Sequence, residues 1–304
     1  MNDNLDTAET RCGFVALIGA PNAGKSTLLN RLVGGKVSIV SHKVQTTRAL
    51  VRGIMVSGSS QIIFADTPGI FAPKRRLDKA MVSRAWDGAG DADVIALLID
   101  VQKGVNDEVE RILKGLADRR QPKVLILNKI DLVKREELLA LAEGLSHEIS
   151  FDATFMISAE KGDGCAELVT YLAEALPQGP WLYPEDQMSD LPMRQLAAEI
   201  TREKLFLRLH QELPYASTVE TESWKDLKSG DVRIEQVIYV QRDSQKKIVL
   251  GKGGQAIKAI SASARRELAE ILERPVHLFL FVKVRDGWLD DPERYREMGL
   301  DFPH

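Results

Sequence analysis

Eight residues near the start of the chain, Gly19-Ala20-Pro21-Asn22-Ala23-Gly24-Lys25-Ser26, follow the apolar run Phe14-Val15-Ala16-Leu17-Ile18 and lead into a helical pattern through Val33. The spacing G-x-x-x-x-G-K-[ST] between a strand and a helix is that of a phosphate-binding loop, and it constrains the fold more than any other stretch. Glycines let the main chain curl closely enough for several N–H groups to point at one polyanion. The start of the following helix adds a favourable dipole. Lys25 would reach the β and γ phosphates of a nucleoside triphosphate, the Ser26 hydroxyl would ligate Mg²⁺, and contacts would run on to Thr27. The loop alone separates neither ATP from GTP nor a kinase from a switch.

The next stretch, 38–48, is polar and contains Gln45-Thr46-Thr47-Arg48. Apolar runs at 49–56 and 61–65 flank Ser57-Gly58-Ser59-Ser60 and read as two strands around a turn. The second ends in Asp66-Thr67-Pro68-Gly69, followed by Ile70. A carboxylate at a strand end beside a phosphate loop is where Mg²⁺ needs a partner, and Gly69 can bring its N–H up to a γ-phosphate. Residues 93–100 and 123–127 are continuous apolar runs, as buried parallel strands are. The latter ends in Asn128-Lys129-Ile130-Asp131. The Asp131 carboxylate can accept two hydrogen bonds from guanine N1–H and its exocyclic amine, a pattern adenine does not offer. Asn128 and the stem of Lys129 can hold that loop and cover a base. After a short strand at 155–157, Ser158-Ala159 follows, and the Ala159 N–H could bond guanine O6. Helical spacing over 77–90, 105–119, 135–149 and 165–176 alternates with these strands. The fold class is therefore α/β with a mainly parallel sheet, its motifs at the carboxyl ends of strands.

These motifs occur in the order of the five signatures of translation-factor-like GTPases, which the chain resembles over 13–176. The resemblance implies that residues 19–26 hold phosphates, that Asp66, Thr67, Pro68, Gly69 and Ile70 serve the γ-phosphate and Mg²⁺, and that Asn128, Lys129, Ile130 and Asp131 read guanine. It implies a metal set of Ser26, Thr47 and Asp66. Thr47 would close over Mg²⁺ in the GTP state; Thr46 is the second choice, since the doublet leaves the register open. Small signalling GTPases place a water-orienting glutamine where this chain has Ile70, which cannot orient water by hydrogen bonding. Slow intrinsic hydrolysis, or help from elsewhere, is expected. In similar GTPases carrying Gly-x-Pro-Asn in the phosphate loop, the asparagine helps hold K⁺. That makes Asn22, with Lys25 and Thr47, a candidate catalytic residue and K⁺ a candidate cofactor; a plain turn residue is the competing reading of Asn22.

Residues 177–192 hold four prolines and read as a linker. An amphipathic helix is expected over 193–213, with Leu196, Ala197, Ile200, Leu205, Leu209 and Leu213 on its apolar side. Strand-like alternation follows at 217–224 and 232–241, then a loop, a long helix to about Leu272 and a last strand over 276–284. The loop, Gly251-Lys252-Gly253-Gly254 with Ile257 following, matches the GXXG loop of KH domains, and the element order resembles the type II arrangement. Small residues let a nucleic-acid backbone lie against the protein backbone, and an adjoining apolar groove accepts unstacked bases. The candidate RNA set is Lys246, Lys247, Ile248, Gly251, Lys252, Gly253, Gly254, Ile257 and Lys258. Residues 194–285 carry 17 Lys and Arg against 12 Asp and Glu, while the whole chain of 304 residues is at −3. The positive charge is thus local to the expected RNA-binding segment.

A P-loop GTPase domain followed by an α+β type II KH domain is the architecture of the bacterial Era family, which the chain resembles over nearly its whole length. Gln45-Thr46-Thr47-Arg48, Asp66-Thr67-Pro68-Gly69-Ile70 and Val282-Lys283-Val284-x-x-Gly287-Trp288 carry that likeness beside the two glycine loops. The resemblance implies a GTP-hydrolysing switch, using GTP/GDP and Mg²⁺, that binds 16S rRNA near its 3′ end and acts in assembly of the 30S ribosomal subunit. It also implies a cytoplasmic, monomeric protein with peripheral association at the inner membrane. The expected organisation is a tail over 1–12, a GTPase domain over 13–176, a linker over 177–192, a KH domain over 193–285 and an acidic tail over 286–304 that packs on the KH domain. Two readings compete: an RNA-binding assembly scaffold whose nucleotide is structural, and an ATP-dependent kinase or helicase, which Asp131 disfavours. Only Cys12 and Cys165 occur, so no disulfide framework exists, and a reducing compartment follows. No apolar run is long enough to span a membrane, and the first residues show no signal-peptide core. The five histidines show no metal-ligand spacing.

Overall fold

The computed structural model describes residues 10–43, 46–209 and 213–303. Most of the expected N-terminal tail and Gln45 lie outside them. The chain divides into two compact units, one made of 1–38 and 47–190 and the other of 39–46 and 191–302.

In the first unit, strand β1 (Arg11–Gly19) leads through the phosphate loop to helix α1 (Lys25–Val33). An antiparallel pair, β2 (Val51–Ser57) and β3 (Ser60–Asp66), comes next. Then follow α2 (Arg76–Gly90), β4 (Val94–Asp100), α3 (Asp107–Leu116), β5 (Lys123–Asn128), α4 (Arg135–Glu148), β6 (Ala153–Ile157) and α5 (Cys165–Ala175). The strands form one sheet in the order β2-β3-β1-β4-β5-β6, parallel except at the β2–β3 pair. β1 takes in Arg11 and Cys12 because its pairing with β3 runs on to Ser60 and Gln61.

Alternation along the central strands sends side chains to two cores. Val15, Leu17, Ala96 and Leu98 pack with Leu28 and Leu29 of α1 and Leu168 and Leu172 of α5. Ala16, Ile18, Ile95 and Leu97 pack with Ala85 and Ala89 of α2, Ile112 and Leu116 of α3, and Leu138 and Leu145 of α4. Helices thus cover both faces, which is why β4 and β5 read as unbroken apolar runs. The proline-rich stretch runs along this unit: Gln61 accepts the N–H groups of Leu182 and Tyr183, and Arg52 pairs with Asp190 at 2.8 Å.

The second unit begins with α6 (Met193–Arg208), followed by β7 (Ser217–Asp226), β8 (Val232–Val240), α7 (Asp243–Leu250), α8 (Gln255–Leu272) and β9 (Val276–Val284). β7 pairs antiparallel with β8, which pairs parallel with β9. Helices α6, α7 and α8 bury Leu205, Val249, Ile260, Ala264 and Leu268 against one face of this sheet. The expected helix over 193–213 is shorter: it stops at Arg208, and Leu209 turns to extended geometry at ψ 152°. Leu209 and Leu213 remain buried. Both stay apolar and buried beyond the helix end, so apolar spacing alone overstated the helix. Trp288, in the expected acidic tail, is 1% exposed and donates its indole N–H to Ala216. A short helix, α9 (Pro292–Glu297), follows it. No helix among the described residues is long and apolar enough to cross a membrane.

Candidate nucleotide site and nucleic-acid loop

Because the parallel strands end on one edge of the sheet, the loops after β1, β3, β5 and β6 meet there. The phosphate loop occupies the turn from β1 into α1. Gly19, Ala20, Pro21 and Ala23 are buried, while Asn22, Gly24, Ser26 and Thr27 are half-exposed. Asn22 and Gly24 both adopt left-handed geometry, at φ 64° and 101°. At Gly24 a side chain would also collide with Asn128: its Cβ would lie 2.2 Å from the amide nitrogen. The glycine therefore permits both the backbone turn and close approach of the base-reading loop.

Lys25 is buried, and its ammonium donates to the carbonyls of Gly19 and Ala20 at 2.9 and 3.1 Å. Burial lowers it to about 8, opposed by the nearby Asp66 carboxylate. Next to it, Ser26 Oγ donates to Asp66 Oδ2 at 2.6 Å and lies 3.0 Å from Thr47 Oγ1. Ser38, which no motif contains, also donates to Asp66 Oδ2, at 2.8 Å. Burial raises the Asp66 carboxyl, with the Ser26 hydroxyl and Lys25 working the other way. Its second oxygen, Oδ1, is buried and has no hydrogen-bond partner among the described residues. An all-oxygen cluster of one carboxylate and three hydroxyls, with an unsatisfied carboxylate oxygen, fits a hard divalent cation such as Mg²⁺. Of the threonine doublet, Thr47 stands in this cluster, while the Thr46 hydroxyl contacts Ser41 and the Lys43 carbonyl.

After Asp66, Thr67 donates its hydroxyl to the Leu17 carbonyl at 2.8 Å, Pro68 is buried, and Gly69 lies against Pro21. The Ile70 N–H donates to Gly19 O at 3.1 Å, and its side chain is 1% exposed. At this position the chain supplies apolar surface and no side-chain hydrogen bond.

The base-reading side is built around Asn128, at the end of β5. Its amide donates to Ala23 O at 2.8 Å, and its oxygen accepts the Ala159 N–H at 3.0 Å. One side chain thus ties the phosphate loop to the loop after β6. Lys129, left-handed at φ 70°, donates to Asn22 O at 2.9 Å and to Asp100 at 2.6 Å. Ile130 opens the single turn Ile130–Leu132 that carries Asp131. The Ser158 hydroxyl, with Lys161 at 3.4 Å, holds the Asp131 carboxyl below the usual carboxylate range. That keeps it ionised and acceptor-only at neutral pH, as a reader of two N–H groups must be. Gly24, Thr27, Asn128, Lys129, Asp131, Ser158 and Ala159 line one cleft.

Sequence patterns missed four supporting residues: Ser38, Asp100, Arg31 and Lys161. Asp100 closes an apolar strand at the ligand-bearing edge, a signal that was available. Arg31 gave none: it lies in α1 and donates to the carbonyls of Ala159 and Glu160.

In the second unit, α7 ends at Leu250 and α8 begins at Gln255, with the glycine loop between them. Gly251, Gly253 and Gly254 have positive φ of 73°, 59° and 77°, conformations that side chains resist. Around Gly253 and Gly254 nothing would meet an added Cβ within 4 Å, so the backbone faces open space. Lys247, Ile248, Lys252 and Lys258 are exposed; Lys246 and Ile257 are half-buried. An apolar flank beside a bare backbone turn and three exposed ammonium groups can take a phosphodiester strand with unstacked bases.

Residues 14–129 match a family described as 50S ribosome-binding GTPase, and residues 212–289 match the KH domain family. The chain is 72% identical over 294 residues to GTPase Era of Rhizobium meliloti (strain 1021), covering 97% of this chain and 94% of that one. It is 67% identical to GTPase Era of Brucella suis biovar 1 (strain 1330), covering 98% and 96%. Among solved structures it resembles Era in complex with MgGDPNP and nucleotides 1506–1542 of 16S ribosomal RNA. The TM-score is 0.90 and the identity 40%, over 95% of this chain and 99% of that one. A variant of Aquifex aeolicus Era bound to GDP·AlF4⁻ matches with the same figures. With two bodies of matching fold, a nucleotide site assembled at one sheet edge and this likeness over nearly the full length, the chain belongs to the Era family of GTPases.

Proposed function

We propose that this chain is a GTP-driven switch for small-subunit ribosome assembly, holding RNA from the 3′ end of 16S rRNA on its KH unit while its first unit binds and hydrolyses GTP. The observation that carries the reading is the Asn128 tie. The guanine-reading loop and the phosphate loop form one hydrogen-bonded body, while the glycine turn of the other unit stays open. Support for the RNA comes from the relative solved with nucleotides 1506–1542 of 16S ribosomal RNA, at 40% identity.

In this reading Lys25 and the N–H groups of residues 19–27 hold the phosphates, and Asp131, Ser158 and Ala159 hold guanine. Ser26, Thr47 and Asp66 would hold Mg²⁺, which neutralises charge on the β and γ phosphates when bound. Gly69 offers its N–H to the γ-phosphate. Ile70 keeps bulk water off one side of the site and orients no nucleophile, so intrinsic turnover is slow. Asn22 would help hold a K⁺ ion, which would supply positive charge beside the phosphates. On the second unit, the turn at Gly251, Lys252, Gly253 and Gly254 takes the RNA backbone, with Lys246, Lys247 and Lys258 on phosphates and Ile248 and Ile257 against bases. The protein works in the cytoplasm with the 30S subunit.

Crosslinking the GTP-loaded protein to 16S rRNA, with both partners mapped, tests the assignment. Crosslinks from residues 246–258 to the 3′-terminal region are expected. Crosslinks that map to the first unit, or to internal rRNA helices only, would reject it.

A further inference from the structure

Three residues other than glycine have positive φ among those described, and two of them, Asn22 and Lys129, meet in the nucleotide site of the first unit. The Lys129 ammonium donates to Asn22 O at 2.9 Å and to Asp100 Oδ2 at 2.6 Å. Asp100 closes β4 and pairs in register with Asn128, which puts it beside the turn that carries the base-reading residues. Its side chain is 6% exposed, against 30% for that of Lys129. No motif read from the sequence contains Asp100.

A carboxylate at this depth is costly unless it is paired. The turn after β4 does not require the charge. The N–H groups of Lys103 and Gly104 donate to the Asp100 main-chain carbonyl at 3.0 and 3.1 Å. The Gln102 N–H donates to Asp100 Oδ1 at 3.1 Å, a bond that an amide oxygen accepts as well. What the second carboxylate oxygen adds is a fixed end for the Lys129 side chain. Lys129 lines the cleft with Gly24, Asn128, Asp131 and Ser158. Its backbone is set by left-handed geometry and its ammonium is held by two oxygens, so its four-carbon stem is drawn along that cleft. A lysine without such an anchor samples many rotamers, and ordering it falls to the ligand.

We propose that Asp100 is a positioning residue for nucleotide binding: by anchoring the Lys129 ammonium it holds the Lys129 stem as a preformed apolar shelf for the base. The inference rests on the reading of Lys129 as the residue that covers the base. The hydrogen-bonding edge of the base is read by Asp131, so the shelf adds affinity without choosing between purines. Loss of Asp100 therefore weakens nucleotides of guanine and of hypoxanthine by the same factor, which sets it apart from the residues that read the edge.

The test uses the full chain with Asp100→Asn, Lys129→Ala and the double variant, titrated with fluorescent GDP and with IDP, which lacks the exocyclic amine, in competition. Asp100→Asn keeps the shape and the bond from Gln102 but gives Lys129 a neutral acceptor. GDP and IDP should both weaken about tenfold, the loss expected when a charge-assisted bond becomes a neutral one. In the Lys129→Ala background the same change should cost no more than about twofold, because the residue through which Asp100 acts is gone. Equal losses in the two backgrounds mark a merely structural carboxylate and overturn the proposal. Unchanged GDP affinity in Asp100→Asn, or a changed ratio of GDP to IDP, overturns it as well. If Asp100→Asn does not fold, Asp100→Ser replaces it: serine can accept from Gln102 but is too short for Lys129, and unchanged GDP affinity there overturns the proposal alone. If Lys129→Ala itself leaves GDP affinity intact, the underlying reading of Lys129 has failed and the inference goes with it, a result distinct from Asp100 alone being silent.

Discussion

Replacing Asn128 with alanine removes its bonds to Ala23 O and from the Ala159 N–H, and leaves the Lys129 bond to Asn22 O as the remaining tie to the phosphate loop. The Ala159 N–H is 2% exposed at residue level, so losing its acceptor leaves a buried donor unpaired. Such a group costs about 1–3 kcal/mol, and the lost donation to Ala23 O adds about 1 kcal/mol, for a total of about 2–4 kcal/mol. Both loops must be in place to hold guanine and phosphate together, so this cost falls on nucleotide affinity. At 1.4 kcal/mol per factor of ten, GDP binding should weaken roughly 30- to 700-fold. Two measurements check this: a fluorescent-GDP titration, and hydrogen exchange of the nucleotide-free protein at the Ala159 amide. Exchange there should accelerate at least roughly tenfold, because opening no longer breaks a bond. Asn128→Asp keeps the acceptor for Ala159 and should lose less protection than Asn128→Ala. Unchanged exchange at Ala159 together with GDP affinity within threefold of the parent would refute the view that this side chain joins the loops.

Three further outcomes follow from the same site. Asp131→Asn should weaken guanine nucleotides by about two to three orders of magnitude, through two lost bonds to a charged acceptor, and should gain xanthine nucleotides; unchanged base preference in a competition assay contradicts the assignment. Lys25 has its folded value depressed to about 8, so its charge is complete well below pH 8 and is lost as pH rises through that value. Phosphate binding favours the charged form, so GDP affinity should fall about fourfold between about pH 7 and 8.5, with Lys25→Arg flat over the same range and a flat parent profile counting against the shift. Multiple-turnover hydrolysis should run faster in K⁺ than in Na⁺ at equal ionic strength, and Asn22→Ala should erase the difference; equal rates in the two salts dispose of the K⁺ role.

How much of this was legible in the sequence depended on whether a residue acts through its neighbours in the chain or through distant ones. The phosphate loop, the Asp66 strand end and the turn carrying Asp131 are local patterns whose backbone conformation is dictated by adjacent glycines and apolar runs. They could be placed on strands and loops by periodicity alone. Asn128 was visible as a motif member, but not as the tie between Ala23 and Ala159, because the two bonds span 105 and 31 residues. Helix α6 shows the limit most clearly. Its apolar stripe was readable, but Arg202 and Glu203 fall on what looks like a solvated face and are buried. A charged residue on an amphipathic helix carries no sign of what will later cover it. The same helix ends at Arg208 although Leu209 and Leu213 continue its apolar spacing; buried apolar residues beyond a helix end carry the same pattern as its face.

The tie through Asn128 has a consequence for synthesis. Ala23 precedes Asn128 by 105 residues, and Ala159 follows it by 31. At about 5–20 residues per second, the phosphate loop has been made for roughly 5–21 s before the side chain that bonds it, and the Ala159 N–H follows after roughly 2–6 s more. A nascent chain therefore carries a complete phosphate-binding sequence long before the loop is held from the base-reading side. The nucleotide edge of the first unit closes only with β6, late in the making of that unit.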